Sequence, residues 1–130
     1  MTFVDTNVFM YAVGGEHPLR EGSRRLLFEA VERGQSLVTS AEVLQELLHA
    51  YLAAGRHATL DAALALIDGC VDDVWPVEAE DVRLARALDS EHPGLSARDL
   101  VHVASCRRRG VAHAFTFDRA LSAVLGAPGR

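Results

Sequence analysis

Four short stretches dense in β-branched and aromatic residues punctuate the chain: TFVD (2–5), QSLVTS (35–40), VDDVWPV (71–77) and VAHAFTF (111–117). Between them run longer segments whose apolar residues recur at helical spacing. No other feature restricts the fold as much. Strands separated by helices pair in parallel, the helices cover both faces of the sheet, and the crossovers are right-handed. The expectation is an α/β fold: a three-layer α/β/α sandwich around a mainly parallel sheet of about four to five strands, as one domain over residues 1–130. The aspartates and Pro76 of the third stretch place it near an edge, since proline donates nothing to a ladder.

The helical segments have readable ends. Residues 6–13 carry apolar side chains at 8, 9, 12 and 13 and stop at Gly14-Gly15. Pro18 opens a second helix with Leu19, Leu26, Leu27, Ala30 and Val31 as its stripe, ending at Gly34. Ser40 can cap the next helix, which stops at Gly55. Further helices are expected over 58–70, over 78–91 with Val82, Leu84, Ala85 and Leu88 inward, and over 96–110. HPGL (92–95) is a turn, DRALSAVL (118–125) a last short helix, and GAPGR (126–130) a loop.

In a parallel sheet the functional site lies beyond the carboxyl ends of the strands. Asp5 follows the first strand and Asp118 the last. Asp99 lies near the start of its helix, and Glu42 and Glu46, four apart, share a face of the helix after the second strand. Segments far apart in sequence thus bring carboxylates towards one rim. Unpaired, they would repel and raise one another's pKa values. Mg²⁺ and Mn²⁺ relieve such a cluster, being hard cations that favour carboxylate oxygen. Each acid also has a local reading. Asp5 and Asp118 can be helix N-caps, and Asp99 and Glu42 can be first-turn acids that suit the helix dipole. Glu46 lies deeper in its helix and has less local reason to be there.

Composition narrows the chemistry. The chain has no lysine, all 13 of its Lys and Arg residues being arginine. That removes P-loop, Schiff-base and pyridoxal chemistry, and disfavours a phospho-accepting receiver domain, whose site needs a lysine. The dehalogenase-type D-x-D signature is broken at Asn7. A net charge of −5 argues against a protein that coats nucleic acid, although a bound cation can reverse the sign of a local site. A hydrophobic fraction of 49% argues against disorder. Cys70 and Cys106 lack metal-ligand spacing and read as small core residues of a reducing compartment. No signal peptide or membrane-spanning run is visible, so a soluble, cytoplasmic protein is expected. Arg107, Arg108 and Arg109 read as dipole partners at a helix end rather than a phosphate-binding patch. Trp75 reads as packing on the sheet rather than stacking a base, and His49 and His102, each at +3 from a candidate acid, as packed or surface histidines rather than substrate contacts or general acids.

VDTNVFMYA, SAEVLQELLHAY, LSARDLVHVASCRRRGV and TFD, in that order and spacing, resemble the PIN-domain family, specifically the VapC toxins of VapBC toxin–antitoxin modules. The resemblance implies a Mg²⁺- or Mn²⁺-dependent endoribonuclease with an acidic quartet. By motif these acids are Asp5, Glu46, Asp99 and Asp118, with Asp5 and Asp99 at the main metal-ligand positions and Asn7 and Thr116 supporting. Glu42 shares the face of Glu46 and is the alternative glutamate; the fourth acid, here Asp118, varies in the family. The resemblance further implies an RNA substrate, a small VapB-type antitoxin as partner, and a homodimer joined in the region of Phe9, Met10 and Tyr11. The competing reading is a catalytically weak PIN-like module that acts by binding a partner.

Overall fold

A computed structural model describes residues 1–128. The elements run β1 (Thr2–Val4), α1 (Thr6–Val13), α2 (Arg20–Glu32), β2 (Leu37–Ser40), α3 (Ala41–Ala53), α4 (His57–Cys70), β3 (Asp73–Trp75), α5 (Ala79–Leu88), α6 (Ala97–Arg108), β4 (His113–Phe115) and α7 (Arg119–Val124). The sheet has four strands in the order β3-β2-β1-β4, every neighbouring pair parallel. The α/β expectation holds, and β3 is an edge strand.

Strand order fixes the rest. From β1 the chain steps outward to β2 and then β3, and α1 to α4 pack together along that half. It then crosses back through α5 and α6 to β4 on the other side of β1. With right-handed crossovers the reversal puts α5 and α6 on the opposite face, which makes the three layers. The direction changes between β1 and β4, and in such sheets that point opens a crevice at the carboxyl ends of the strands.

β1 is the central strand, and Phe3 and Val4 have no exposed surface. Phe3 stacks on Trp75 at 6.1 Å between ring centroids, so the edge strand is tied to the centre by its aromatic residue. Burying a side chain such as Phe3 contributes about 1.5–3 kcal/mol. Gly55 and Gly110 adopt φ of +67° and +71° just beyond their helices, a left-handed conformation that glycine takes without a Cβ clash.

Several local expectations are corrected. Val31 is 45% exposed, because the inner face of α2 is set by Ser23, Leu27 and Ala30. Val82 is 52% exposed while its neighbour Asp81 is fully buried. Asp81 turns inward because Arg108 and Arg109 reach it at 2.7 and 3.0 Å. Those two arginines, read as dipole partners, thus clamp α5 to α6, and Arg109 also covers the face of Trp75 at 5.0 Å. Ser40 sits at the N-cap of α3 but makes no capping hydrogen bond; it closes β2 instead, opposite Trp75. Pro18 lies in a turn, with α2 starting at Arg20. Of the expected terminal loop, Gly126 pairs with His113 as an isolated parallel bridge. Residues 129 and 130 lie outside the described residues.

Candidate active site

The end of β1 delivers Asp5 to the crevice. Its backbone is extended, its carboxylate Oδ1 accepts from Thr6 N at 2.8 Å, and Asp5 therefore caps α1 as a local reading requires. The cap uses only one oxygen. Oδ2 accepts from the Thr116 hydroxyl at 2.6 Å, just past β4. Asp5 N also donates to Phe115 O at 3.0 Å, which locks the end of β1 to β4. Burial pushes the Asp5 carboxyl above its usual range, and the bonds from Thr116 and Thr6 only partly offset this.

Glu46 reaches the same place from the second turn of α3. Its Oε1 lies 2.8 Å from His102 Nε2, and its Oε2 accepts a short hydrogen bond from the Thr6 hydroxyl. Burial raises its carboxyl, but the hydrogen bond and charge of His102, with Thr6 and Arg98, more than offset that and hold it below the usual range. Asp99 lies in the first turn of α6, where its N–H is capped by Ser96 Oγ at 3.2 Å. Burial and then the charges of Asp118 and Asp5 push its carboxyl up. Asp118 caps α7, accepting from Ala120 N and Leu121 N at 2.8 and 3.1 Å through Oδ1. One hydroxyl ties these pieces together: Thr116 Oγ1 donates to Asp5, accepts from Asp118 N at 3.0 Å, and accepts from Asn7 Nδ2 at 3.5 Å.

Asp5, Glu46, Asp99 and Asp118 line one cleft of about 300 Å³, and Arg98 is the arginine in its wall. Asn7 lines it as well, and its Oδ1 accepts from Phe117 N at 3.3 Å. Glu42 does not line the cleft; it is half-exposed, and burial and the charge of Glu46 push its carboxyl up. A larger cavity of about 870 Å³ lies between α2, β4 and the chain end, but its one carboxylate, Glu29, is paired with Arg33 at 3.9 Å. The acidic chemistry belongs to the smaller cleft.

His102 is a packed histidine, as expected, but it packs at the site. With 1% exposure it lies against the acids, 2.8 Å from Glu46 and 3.8 Å from Asp5. Its position at +3 from Asp99 was visible, but not its contact across to α3. Thr6 carries no local signal of its contact with Glu46, 40 positions away. Asp5, Glu46 and His102 place ligand atoms within 4.8 Å of one another, close enough to hold a metal ion together. The carboxylate-rich donor set and the upward-shifted, mutually repelling Asp5 and Asp99 suit a hard divalent cation.

Comparison with known proteins gives the family of the chain. The model of the PIN domain matches residues 2–126. The chain is 56% identical over 125 residues to Ribonuclease VapC23 of Mycobacterium tuberculosis, covering 96% of this chain and 98% of that one. It is 40% identical over 126 residues to Ribonuclease VapC13 of the same organism, covering 97% and 96%. Among solved structures, Mycobacterium tuberculosis VapC20, described as a sarcin–ricin loop cleaving toxin, has a TM-score of 0.75 at 23% identity over 95% of this chain and 94% of that one, a likeness of fold. An acidic cleft at the switch point of a parallel sheet and full-length likeness to VapC ribonucleases lead to one assignment: the chain belongs to the PIN-domain family, in its VapC group.

Proposed function

We propose that this protein is a metal-dependent endoribonuclease that hydrolyses RNA phosphodiester bonds, acting in the cytoplasm as the toxin of a toxin–antitoxin pair. The observation that carries the reading is the convergence of Asp5, Glu46, Asp99 and Asp118, from four segments of the chain, on one cleft. Full-length likeness to proteins named ribonucleases supports it.

Asp5, Asp99 and Asp118, with Glu46 beside them, would hold Mg²⁺ or Mn²⁺. Such a cation supplies a Lewis-acidic centre that lowers the cost of negative charge developing at phosphorus. The protein's own groups do the rest. Thr6 N and Thr116 Oγ1 fix the two oxygens of Asp5, so that ligand is oriented before substrate arrives. Glu46, held ionised by His102 and Thr6, is placed to take the proton of the attacking water. Arg98 faces the negative cleft and can contact a substrate phosphate.

The partner is a small VapB-type antitoxin, and the working form is a homodimer. The expected dimer region at Phe9, Met10 and Tyr11 is not an apolar surface, since Phe9 is fully buried in the core and Met10 and Tyr11 are half-buried. The exposed apolar side chains are Phe28 and Val31 on α2, 57% and 45% exposed, and Leu48 and Leu52 on α3, 44% and 45% exposed, and these supply surface for such contacts. The test is cleavage of labelled RNA by the purified protein with Mg²⁺, with Mn²⁺ and with EDTA, alongside Asp5→Asn. Metal-dependent cutting that Asp5→Asn abolishes is expected; cutting that survives EDTA sinks the reading. RNA cutting by neither protein in either metal favours the partner-binding module.

A further inference from the structure

The acids account for the floor of the cleft but not for the aromatic residues beside it. Tyr11 lies one turn beyond Asn7 on the same face of α1. Its ring stacks on His17 with centroids 4.5 Å apart and planes 28° from parallel. It also meets Phe117 nearly edge-on, at 5.6 Å and 79°. Phe117 sits between Thr116 and Asp118, and Asn7 holds its backbone N–H. Three rings therefore lie in contact in a row that starts between two residues of the site, Thr116 and Asp118: Phe117 and Tyr11 are half-buried and His17 is exposed.

His17 is exposed without being loose. Its Nδ1 accepts from Leu19 N at 3.1 Å, and its ring lies on Tyr11. An ordered ring in water loses little freedom when another ring is laid on it. Every nucleobase offers a π-face, so such a platform holds single-stranded nucleic acid with little regard to sequence. This matters in a chain of net charge −5, whose overall field does not favour a polyanion.

We propose that Tyr11 and His17, backed by Phe117, form a stacking subsite for an unpaired RNA base flanking the cut. The proposal rests on the ribonuclease reading. A local role competes with it: the Nδ1 bond of His17 turns the chain into α2. That role needs an acceptor and no ring. Asparagine at 17 keeps a local acceptor and removes the ring; phenylalanine does the reverse.

The experiment measures steady-state cleavage, in Mg²⁺, of a single-stranded RNA whose cut site has been mapped with the wild-type protein. The enzymes are wild type, His17→Asn, His17→Phe and Tyr11→Phe, each checked for its melting midpoint. Each enzyme is also given substrates with one abasic nucleotide at successive positions around the cut. His17→Asn is expected to raise KM roughly tenfold with kcat within about twofold, the low end of a stacking contact. His17→Phe and Tyr11→Phe stay near wild type. At one abasic position wild type shows the same tenfold rise, and the difference between wild type and His17→Asn disappears. Equal KM for wild type and His17→Asn overturns the subsite, as does a deficit shared by His17→Phe or one that persists at every abasic position. A change confined to antitoxin binding also overturns it, by making the surface a protein contact. Wild-type protein that neither binds nor cuts RNA overturns the ribonuclease reading and the subsite together, which separates the two failures.

Discussion

His102 Nε2 lies 2.8 Å from Glu46 Oε1, across 56 positions of sequence and from one helix to another. The contact holds a buried imidazole and a half-buried carboxylate in one place, with Asp5 Oδ1 3.8 Å from the same nitrogen. His102 thus sets where Glu46 points and leaves its own Nδ1 with no hydrogen-bond partner among the described residues. Replacing it by phenylalanine keeps an aromatic ring beside Phe3 and strips Glu46 of that partner. Loss of one partner from a buried hydrogen bond to a charged group costs about 1–3 kcal/mol. Chemical denaturation of His102→Phe is expected to show that loss, with RNA cleavage reduced about 10–100-fold. Unchanged activity would remove His102 from the site's support.

Glu42 and Glu46 give a sharper comparison. They share a helix face, but Glu46 lines the cleft and Glu42 does not. Glu46→Gln keeps the shape and removes the charge, so kcat is expected to fall about 10²–10⁴-fold, the usual worth of a general base. Glu42→Gln is expected to stay within about threefold. Steady-state cleavage assays decide it, and equal losses in both variants would make the effect one of overall charge.

Thr116→Val tests positioning without touching an acid. The substitution nearly conserves volume but leaves Asp5 Oδ2 without its 2.6 Å donor and Asp118 N without its acceptor. A support residue of this kind typically changes metal affinity or activity about 10–100-fold. The expected pattern is weaker Mn²⁺ binding by calorimetry with a melting midpoint shifted by only a few degrees. A variant with unaltered Mn²⁺ affinity would show that Asp5 needs no help from this hydroxyl.

The fold and the floor of the site were legible because their signals are local. A buried run followed at once by Asp5, or an acid placed at the start of a helix like Asp99, can be read within a few residues, and parallel topology then carries them to one rim. The contacts of Thr6 and His102 with Glu46 span 40 and 56 positions and leave no local trace. The inward face of α5 differs from its hydropathy for the same reason. Hydropathy alone turns Val82 in, but Arg108 and Arg109, 27 and 28 positions from Asp81, make the aspartate the better-satisfied buried group.

That clamp predicts a pH dependence far from the cleft. Burial would raise the Asp81 carboxyl, but bonds from Arg109, the Glu78 N–H and Arg108 outweigh it and hold it below the usual range. A depressed carboxylate contributes stability that is present above its unfolded pKa and lost as pH falls through its folded one. Asp81→Asn is expected to be less stable than wild type by about 2 kcal/mol at pH 7, below the value for a fully buried pair because the arginines stay partly exposed. The gap should narrow from about pH 5 downward, as the unfolded chain takes up the proton that the native carboxylate still refuses. Urea titrations at several pH values measure it, and a gap constant down to pH 3 would contradict the clamp.

Metal linkage is the most direct check on the cleft, because it needs no substrate. Burial and neighbouring charge raise the carboxyls of Asp5 and Asp99, so ionising both without a cation is costly. A cation that binds the folded cleft and not the unfolded chain stabilises by an amount that grows with its concentration, about 2.7 kcal/mol at a hundred times Kd. Melting midpoints in EDTA, Mg²⁺ and Mn²⁺ should rise in that order, Mn²⁺ binding mixed carboxylate sites more tightly. Asp5→Asn should be more stable than wild type in EDTA, since one repelling charge is gone, and should gain little from metal. Glu42→Gln, outside the cleft, should keep the full metal-dependent rise. If wild type and Asp5→Asn respond to Mn²⁺ by the same amount, the carboxylates of this cleft are not where the ion binds.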